Sequence, residues 1–312
     1  MGAGHIVVVG SINMDLVART KRMPLGGETL LGSDFRMVPG GKGANQAVAV
    51  ARTGGNVKIV GGVGDDIFGK QLLANLRDNG INTDFVKARS GMATGVAIIL
   101  VDDQGENSIV VVPGANDCVS QQDVEAARLI IETAQVVLLQ LEIPLETVEL
   151  VIRVAKQAGV PVILDPGPAR PLSRDLLAMV DIITPNEHEA QVLAGEELHN
   201  LDDARNIAAK LLGWGIKHVL LKLGGEGVIM ANAEGFEHIP AHKVHVEDTT
   251  AAGDSFAGGL AVALAEGYTL REAVLFANAV GALAVTRLGA QSAIPTREEV
   301  ESFMMERGVT WS

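Results

Sequence analysis

The stretch VVLLQLEIPLETVELVIRVAKQAGVPVILDP, residues 136–166, contains one complete strand–helix–strand unit. Residues 136–141 form a short, mostly apolar run, which predicts a strand buried on both faces. Residues 145–158 carry apolar positions at helical spacing, and Gly159 stands where a left-handed residue would end that helix. A second apolar run at 160–164 predicts the next strand. The two strands are therefore expected to lie parallel, with the helix crossing between them.

The same alternation continues along most of the chain. Further strands are predicted at residues 6–10, 57–61, 182–184, 219–223 and 228–231. Helices are predicted from residue 44 onward and at residues 66–79, 120–133, 201–212, 254–266 and 270–286, with one more opened by Thr296. Such alternation is typical of a parallel sheet with helices on both faces. The predicted fold class is α/β, doubly wound, with a mostly parallel central sheet flanked by helices.

Two segments, residues 16–38 and 94–112, interrupt this alternation. Both carry extended, alternating patterns with turns, and neither has a helical pattern. They predict two small antiparallel ribbons that fold together as a β-sheet lid over the carboxyl edge of the main sheet. Ordinary surface hairpins are the alternative. The remaining residues, 1–15, 39–93 and 113–312, are then assigned to an α/β core.

The composition restricts the class of partner. The chain has 312 residues, 47% of them hydrophobic, and a formal net charge of -13. Such a charge repels nucleic acids and anionic membranes at long range, so neither is an expected partner. The single Cys118 excludes an intramolecular disulfide framework and fits a reducing compartment. No signal-peptide pattern opens the chain and no apolar segment approaches the ~20 residues of a membrane span, so a cytoplasmic protein is expected.

Polar residues cluster where the predicted strands end. They are, in chain order, Ser11, Asn13, Asp15, Glu142, Asp165, Asn186, Glu189 and the run Gly224-Gly225-Glu226-Gly227. The carboxyl ends of parallel strands meet at one edge of an open sheet, and ligands bind outside that edge. The sequence therefore predicts a single ligand site there.

The stretch DTTAAGDSF, residues 248–256, joins a strand to a helix through small residues. Unhindered amides at Ala251, Ala252 and Gly253, at the positive end of the helix, would form a pocket for a transferring phosphoryl group. Asp254 could serve only as the N-cap of that helix. Beside an anion pocket, however, a carboxylate suits a general base that accepts a hydroxyl proton during phosphoryl transfer from a nucleotide.

The glycines of MVPGGKGANQA, residues 37–47, do not form a phosphate-binding P-loop. That motif needs a glycine at the position of Arg36 and a Ser or Thr at the position of Gly43. Another function must therefore explain these glycines. The phosphate-binding glycines are therefore expected elsewhere, around Gly225 and Gly253.

Taken together, these motifs resemble the signatures of the ribokinase-like (PfkB) carbohydrate kinase family. The resemblance rests on Gly40-Gly41-Lys42-Gly43-Ala44-Asn45-Gln46-Ala47, Leu139-Gln140-Leu141-Glu142, Thr184-Pro185-Asn186-Glu187-His188-Glu189, Asp248-Thr249-Thr250-Ala251-Ala252-Gly253-Asp254 and Thr286-Arg287-Leu288-Gly289-Ala290-Gln291. It covers essentially the whole chain. It implies an ATP-dependent carbohydrate kinase with a nucleotide- and sugar-binding core and a β lid, which forms a homodimer through the lid.

The resemblance also implies roles for individual residues. Positions that hold the sugar hydroxyls are Asn13, Asp15, Gly41, Lys42, Asn45 and Glu142, while Asp254 is the catalytic base beside the anion pocket of Ala251, Ala252 and Gly253. Positions that contact ATP are Asn186, Lys222, Gly224, Gly225, Glu226, Gly227, Gly253 and Asn278. Positions that hold an activating monovalent cation, usually potassium, are Asp248, Thr250, Ala284, Arg287, Gly289 and Ala293, and Glu189 is tied indirectly to Mg²⁺.

The expected reaction is transfer of the γ-phosphate of ATP to the 5-hydroxyl of D-ribose. Asn13 and Asp15 lie two positions apart, so on an extended strand end they face the same side. Turn formation is the alternative role for such a pair. If they bind a sugar, the two side chains would hold vicinal hydroxyls. A deoxy sugar would leave one of these side chains without a hydrogen-bond partner and would bind more weakly. This pair favours ribose over 2-deoxyribose.

Three residues depart from the family pattern. Lys222 replaces a Thr that is common before the nucleotide glycines, and it either adds a phosphate contact or lies exposed. Ala293 replaces a Ser common at one cation-ligand position; a backbone oxygen or Ser292 could substitute, so the expectation of potassium dependence is weaker. Asp165 stands where Asn is frequent.

Two other functions remain open. A related kinase could act on 2-deoxyribose, another sugar, a sugar acid or a nucleoside, although a content of 3% aromatic residues argues against a stacked base. A sugar sensor without catalysis would be signalled by loss of the base or of the anion pocket. Gly253 and Asp254 are both present, which argues against the sensor.

Overall fold

The computed structural model describes residues 4–309. Its strands are β1 (Ile6–Val9), β2 (Asn13–Arg19), β3 (Asp34–Gly40), β4 (Val57–Gly64), β5 (Asn82–Arg89), β6 (Gly95–Val101), β7 (Asn107–Val112), β8 (Val136–Leu139), β9 (Val162–Leu164), β10 (Ile182–Ile183), β11 (His218–Lys222), β12 (Val228–Asn232) and β13 (Gly235–Ile239). Its α-helices are α1 (Lys42–Arg52), α2 (Ile67–Asp78), α3 (Gln121–Ala126), α4 (Arg128–Glu132), α5 (Leu145–Ala158), α6 (Arg174–Leu177), α7 (Glu187–Ala194), α8 (Leu201–Leu212), α9 (Ala252–Ala265), α10 (Leu270–Ala284) and α11 (Arg297–Glu306).

The larger sheet has nine strands in the order β13-β12-β11-β10-β9-β8-β1-β4-β5. Neighbouring strands pair parallel except at the β11–β12 and β12–β13 contacts, which are antiparallel. From β1 the chain first proceeds to β4 and β5 on one side and later returns to β8 and β9 on the other. Such a reversal leaves a crevice at the carboxyl ends of the central strands. The predicted doubly wound α/β fold is confirmed.

Helices cover both faces of this sheet because successive strand side chains point to opposite sides. On β1, Ile6 and Val8 belong to the core formed with α1, α2, α9, α10 and α11. Val7 and Val9 belong to the second core, formed with α3 to α8. The strands are apolar on both faces for this reason.

Helix α9 packs against α1 and α10 at unusually short range. A Cβ atom on Gly258 would lie 2.4 Å from the Cβ of Ala49, and one on Gly259 would lie 2.8 Å from the side chain of Val280. These two glycines therefore permit the close approach of the three helices. The first turns of α1 and α9 come together at the carboxyl edge of the sheet.

The smaller sheet has four strands in the order β3-β2-β6-β7. The pairs β2–β3 and β6–β7 are antiparallel ribbons, and β2 joins β6 in parallel. The two ribbons thus form one sheet, as predicted, and the alternative of separate surface hairpins is wrong. Strand β2 begins at Asn13 and β3 ends at Gly40, so both strands extend past the predicted segment 16–38. The division of the chain into core and lid stays a prediction at those boundaries.

Several element boundaries differ from the predictions. The helix predicted at 120–133 is two helices, α3 and α4, because Ala127 has φ −95° and ψ 1°. Helix α1 begins at Lys42 and α9 at Ala252, each two residues earlier than predicted. Strands β5 and β13 and helices α6 and α7 were not among the predicted elements. No helix within residues 4–309 is long and apolar enough to cross a membrane.

Candidate active site

The glycine-rich segment before α1 allows this helix to approach the end of β1 and the start of β2. Gly41 is the N-cap of α1 with φ 88°, and a Cβ atom there would lie 2.7 Å from the backbone nitrogen of Asn13. A Cβ atom on Gly43 would lie 2.6 Å from backbone atoms of Gly10 and Ser11. The glycines are therefore explained by close packing of α1 against these strand ends.

Three of the predicted sugar-binding residues meet at this edge. Asn13 and Asp15 lie on the same face of β2, as their spacing predicted. Glu142 follows β8, and its Oε2 accepts hydrogen bonds from the Lys42 backbone nitrogen at 3.1 Å and from the Ser11 hydroxyl. Glu142 is thereby fixed against the first turn of α1.

The carboxylates at this edge influence one another. Burial, together with the negative charges of Glu142 and Asp254, raises the pKa of Asp15 to about 7. Burial also raises the pKa of Glu142, although the hydrogen bond from Ser11 and the charge of Lys42 oppose the shift. Clustered carboxylates resist simultaneous ionisation. The carboxyl groups of Asp15 and Glu142 are strong hydrogen-bond acceptors for hydroxyl groups only when they are ionised.

Asp254 lies in the first turn of α9 and is 5% exposed. Its Oδ2 accepts a hydrogen bond from Asn45 Nδ2 at 3.0 Å, and its Oδ1 accepts one from Gln46 Nε2 at 3.1 Å. Burial raises the pKa of Asp254, whereas the ammonium of Lys42, 4.0 Å from Oδ1, lowers it. The N-cap position of α9 is occupied by Ala251, so the alternative role of Asp254 as a cap is wrong.

The half-buried backbone before Asp254 presents a row of amides at a cavity. Ala251 has φ 58° and is the one non-glycine residue with positive φ within residues 4–309. This conformation costs roughly 1–3 kcal/mol and is characteristic of functional sites. The amides of Ala252, Gly253 and Asp254 belong to the first helical turn, where no preceding turn supplies acceptors. Ala252 donates only a long bond of 3.3 Å to Thr249, so these amides are available to an anion.

A cavity of about 940 Å³ opens beside the first turn of α9. It is lined by most of the predicted nucleotide-contacting residues, namely Asn186, Lys222, Gly224, Gly225, Gly227, Gly253 and Asn278. Glu226 is not part of this lining. Asn278 donates a hydrogen bond to the Pro240 carbonyl at 2.9 Å. The cavity has the size of a small-molecule or cofactor site.

The Asn-x-x-Glu element forms the start of α7. Asn186 Oδ1 accepts a hydrogen bond from the Glu189 backbone at 2.8 Å, and Glu189 Oε2 accepts one from the Asn186 backbone at 2.8 Å. This capping box fixes the Glu189 carboxylate at the cavity, and burial raises its pKa. The other oxygen, Oε1, would lie 2.6 Å from a Cβ atom on Gly167, so it faces the turn after β9.

The residues predicted to hold a monovalent cation lie on two neighbouring loops, except Ala284, which is the last residue of α10. Asp248 Oδ1 accepts hydrogen bonds from Thr250, and Asp248 Oδ2 accepts one from the Gly289 backbone at 2.9 Å. Arg287 is paired with Glu299 at 2.6 Å. Ala284 and Ala293 are both buried. Within residues 4–309, no group of three His, Cys, Asp or Glu side chains has the arrangement of a metal site.

Sequence reasoning missed Gln46 as a site residue. Its Nε2 donates to Asp165 Oδ2 at 3.1 Å as well as to Asp254, and its Oε1 accepts a hydrogen bond from Gln140. Gln140 could have indicated this role from the sequence, because it is a polar residue within a predicted apolar strand. Buried polar groups of this kind need hydrogen-bond partners, and those partners lie in the site.

Asn116 and Gln291 were also missed. Asn116 Nδ2 donates to Asn13 Oδ1 at 2.6 Å, while its Oδ1 accepts from the Ile12 backbone at 2.9 Å. Gln291 Nε2 donates to Asn45 Oδ1 at 3.2 Å. Both residues lie in short 3-10 helices, which are too short for sequence periodicity to indicate their contacts.

The chain is similar to known carbohydrate kinases over almost its full length. The model of the pfkB family of carbohydrate kinases matches residues 3–297. A ribokinase from Schizosaccharomyces pombe is 43% identical, with 97% of this chain and 99% of the relative covered. A deoxyribokinase from Salmonella typhi is 36% identical, with 96% of this chain and 98% of the relative covered.

Two solved structures have the same fold. Ribokinase from Thermotoga maritima superposes with a TM-score of 0.88 at 40% identity, covering 96% of this chain and 99% of that chain. Arabidopsis thaliana ribokinase complexed with ribose and ATP superposes with a TM-score of 0.89 at 35% identity, covering 99% and 100%. Family match, full-length identity and fold agree with the site geometry, and this chain belongs to the PfkB family of carbohydrate kinases.

Proposed function

We propose that this carbohydrate kinase transfers the γ-phosphate of ATP to the 5-hydroxyl of D-ribose and releases ADP and D-ribose 5-phosphate. The observation that carries the proposal is the position of Asp254. Its carboxylate lies between the edge that bears Asp15 and Glu142 and the first-turn amides of α9 beside the cavity. Relatives named ribokinase, and the Arabidopsis structure with ribose and ATP, support ribose and ATP as the substrates.

In this mechanism Asp254 is the general base. Its carboxylate accepts the proton of the sugar hydroxyl while the hydroxyl oxygen forms a bond to the γ-phosphorus. The bond between that phosphorus and the β–γ bridging oxygen breaks, and ADP leaves. The amides of Ala251, Ala252, Gly253 and Asp254 supply hydrogen bonds to the charge that spreads over the transferring phosphoryl oxygens.

The sugar is held by side chains on both sides of the base. Asn13, Asp15 and Glu142 accept hydrogen bonds from its hydroxyls, and Asn45, Gly41 and Lys42 line the same space from α1. Glu142 and Asn45 are already fixed by protein contacts, to Ser11 and Gln291 respectively. Such preorganisation reduces the entropy lost when the sugar binds.

ATP occupies the cavity next to α9. The proposed contacts are Asn186, Lys222, Gly224, Gly225, Gly227, Gly253 and Asn278; Glu226 is left out because it does not line the cavity. Mg²⁺ bound to the phosphates would neutralise their charge, and its preference for phosphate, water and few carboxylates fits an indirect contact with Glu189. The position of Glu189 supports that contact, because it lines the cavity and its capping box uses only Oε2.

A monovalent cation, potassium in the first instance, is proposed at the loops joined by Asp248. Asp248 would supply the negative charge near such an ion, and the other proposed ligands are the backbone carbonyls of Thr250, Ala284, Arg287, Gly289 and Ala293. The cation would stabilise the loop that leads into the anion pocket. This site predicts that potassium activates the enzyme more than sodium does at constant ionic strength, and that potassium raises the melting temperature. Asp248→Ala should abolish both effects.

A homodimer through the lid is proposed from the apolar outer face of the smaller sheet. Leu16, Met37, Ile98 and Val110 are cross-strand neighbours in one row. Met37 is 52%, Ile98 44% and Val110 61% exposed. Contiguous exposed apolar residues mark association sites. This face is opposite to the one that carries Asn13 and Asp15.

The main alternative is a PfkB kinase with another acceptor: 2-deoxyribose, another sugar, a sugar acid or a nucleoside. The deoxyribokinase relative gives this alternative some support, although its identity of 36% is below the 43% of the ribokinase relative. A sensor without catalysis has less support because Asp254 and the strained Ala251 are both in position.

Release of ADP over a panel of pentoses, 2-deoxyribose, hexoses, sugar acids and nucleosides tests the proposal. We expect ribose to give the highest kcat/KM, because a deoxy analogue leaves a buried acceptor unpaired. Turnover of another acceptor with ribose inactive would reject the ribose assignment and leave the kinase mechanism intact. If no acceptor in the panel is phosphorylated while ADP and ribose still bind, the result would favour the sensor without catalysis.

A further inference from the structure

Lys222 extends from the end of β11 into the active site. Its side chain is 14% exposed, and its Nζ lies 3.6 Å from Oδ1 of Asp165 at the end of β9. β10 lies between these two strands. The two strands are therefore roughly 10 Å apart, and the side chains of Lys222 and Asp165 extend toward each other across the end of β10.

The ammonium of Lys222 ends at the anion pocket. A Cβ atom on Gly253 would lie 3.1 Å from Nζ, so the charge is located directly over the first turn of α9. Lys222 shares this end of the cavity with Lys42. Two cations and the first-turn amides of α9 thus converge on one small volume next to Asp254.

Asp165 is the residue that holds the two lysines. It is fully buried, and its Oδ2 accepts hydrogen bonds from Lys42 Nζ at 3.1 Å and from Gln46 Nε2 at 3.1 Å. Its Oδ1 has no hydrogen-bond partner within the described part of the chain. Burial alone would raise the pKa of Asp165, but the charges of Lys222 and Lys42 hold it below the ordinary value.

We propose that Lys222 binds the transferring phosphoryl group during the reaction, and that Asp165 positions it there. The proposal rests on the kinase reaction proposed above. Lys222 is within 4.0 Å of Asp165 but outside hydrogen-bond distance, so its ammonium retains donors for a phosphate oxygen. As charge develops on the phosphoryl oxygens, a fixed ammonium at the amide row stabilises it without rearrangement.

A purely structural ion pair is the competing explanation. A structural lysine would change stability when removed, whereas a residue that acts on the transferring group changes kcat more than binding. The chain supplies a matched control in Lys217, which pairs with Asp181 at 2.5 Å outside the cavity. Lys217→Met removes a Lys–Asp pair without touching the site.

The experiment measures kcat, KM for ATP and for the acceptor, and ADP affinity by calorimetry in Lys222→Met, Lys222→Arg and Lys217→Met. We expect Lys222→Met to lower kcat by about 10²-fold, the effect of removing one preorganised donor. ADP affinity and both KM values should change less than about threefold, since the group acts in the transfer step. Lys222→Arg should recover part of kcat because it restores the charge, and Lys217→Met should match the parent.

Aluminium fluoride with ADP and acceptor provides a second measurement, because it imitates the transferring phosphoryl group. Its inhibition should weaken in Lys222→Met by about the same factor as kcat. Asp165→Asn should lower kcat in the parent and have a smaller effect in the Lys222→Met background. Equal losses of kcat and ADP affinity, or a kcat equal to that of Lys217→Met, would overturn the proposal.

The acceptor used is the one with the highest turnover in the panel. If ribose is not the acceptor, the kinetics of the Lys222 variants are measured with the sugar that does react. If no acceptor reacts, ADP binding with and without aluminium fluoride still reports on Lys222. A selective loss of the aluminium fluoride complex would then support the proposal, and an unchanged complex would reject it.

Discussion

Asn45 Nδ2 donates a hydrogen bond of 3.0 Å to Oδ2 of Asp254, joining residues 209 positions apart in the sequence. The next residue on α1, Gln46, donates to the other oxygen. The helix that follows the glycine-rich segment therefore holds the proposed base with two neighbouring side chains. Gly258 makes this possible, since any larger residue there would separate α9 from α1.

We expect Asp254→Asn to lower kcat by about 10³-fold, because the amide cannot accept the hydroxyl proton. ADP release at saturating ATP and sugar measures the effect, and calorimetry with ADP serves as the control for an intact cavity. The variant keeps a side chain of the same size between Asn45 and Gln46. Full activity in a folded variant would exclude Asp254 as the base.

Sugar affinity should depend on pH through Asp15. Burial raises the pKa of Asp15 to about 7, so its carboxylate is largely protonated at lower pH and becomes a stronger acceptor above it. We expect affinity for the sugar to increase about tenfold between about pH 6 and about pH 8. Calorimetric titration measures this, and in Asp15→Asn the affinity should be lower and the pH dependence lost.

The same group affects stability in the opposite direction. The folded state binds this proton more tightly than the unfolded state, so the free energy of unfolding falls as pH rises from the ordinary pKa of 3.8 toward about 7. Asp15→Asn removes this decrease in the free energy of unfolding, because the amide does not titrate. Its unfolding free energy relative to the parent should therefore be greater at neutral pH than at acidic pH in urea titrations; a constant difference would contradict the raised pKa.

Gly43→Ala should reduce both stability and sugar affinity. The added Cβ atom would lie 2.6 Å from the backbone of Gly10 and Ser11, so α1 must move away from the strand ends. Overpacking of this kind costs about 1–3 kcal/mol. Gly26→Ala is the matched control because a Cβ atom there meets nothing within 4 Å. Urea unfolding and sugar titration of both variants measure the effects, and equal behaviour would refute the close-packing explanation.

Val110→Asp should dissociate the proposed dimer. Val110 is 61% exposed in the apolar row of the lid, and a buried carboxylate there would disfavour association. Light scattering after size exclusion measures the mass across a dilution series. Leu129→Asp, at a position 72% exposed on α4, is the control and should leave the mass unchanged. A parent that is already monomeric at high concentration would reject the dimer.

Periodicity predicted the parts of the fold that are strongly patterned. Helices α5 and α8 have the bounds that apolar spacing and caps indicated, because these determinants are local. Strand β5 was missed because its sequence, NTDFVKAR, carries polar residues that an edge strand tolerates. The break between α3 and α4 at Ala127 has no glycine or proline to signal it.

The candidate site was predicted unevenly for a similar reason. Motif residues such as Asp254 and Asn45 were identified from the local sequence and from the family resemblance. Gln46 and Asn116 were not, because their partners, Asp165 and Asn13, are distant in sequence and only the tertiary fold brings them together. Their roles as hydrogen-bond donors follow from burial, which a single sequence does not specify.

Two side-chain amides, those of Asn45 and Gln46, donate hydrogen bonds to Asp254 and fix the plane of its carboxylate. Side-chain rotation would break at least one of the hydrogen bonds from Asn45 and Gln46, so the lone pair that is proposed to receive the proton has one direction. Regioselectivity then depends on how β2 and Glu142 orient the acceptor beneath it. With the proposed roles, acceptor preference could change through substitutions at Asn13, Asp15 or Glu142 while the proposed base stays in place, which would separate the evolution of specificity from that of chemistry.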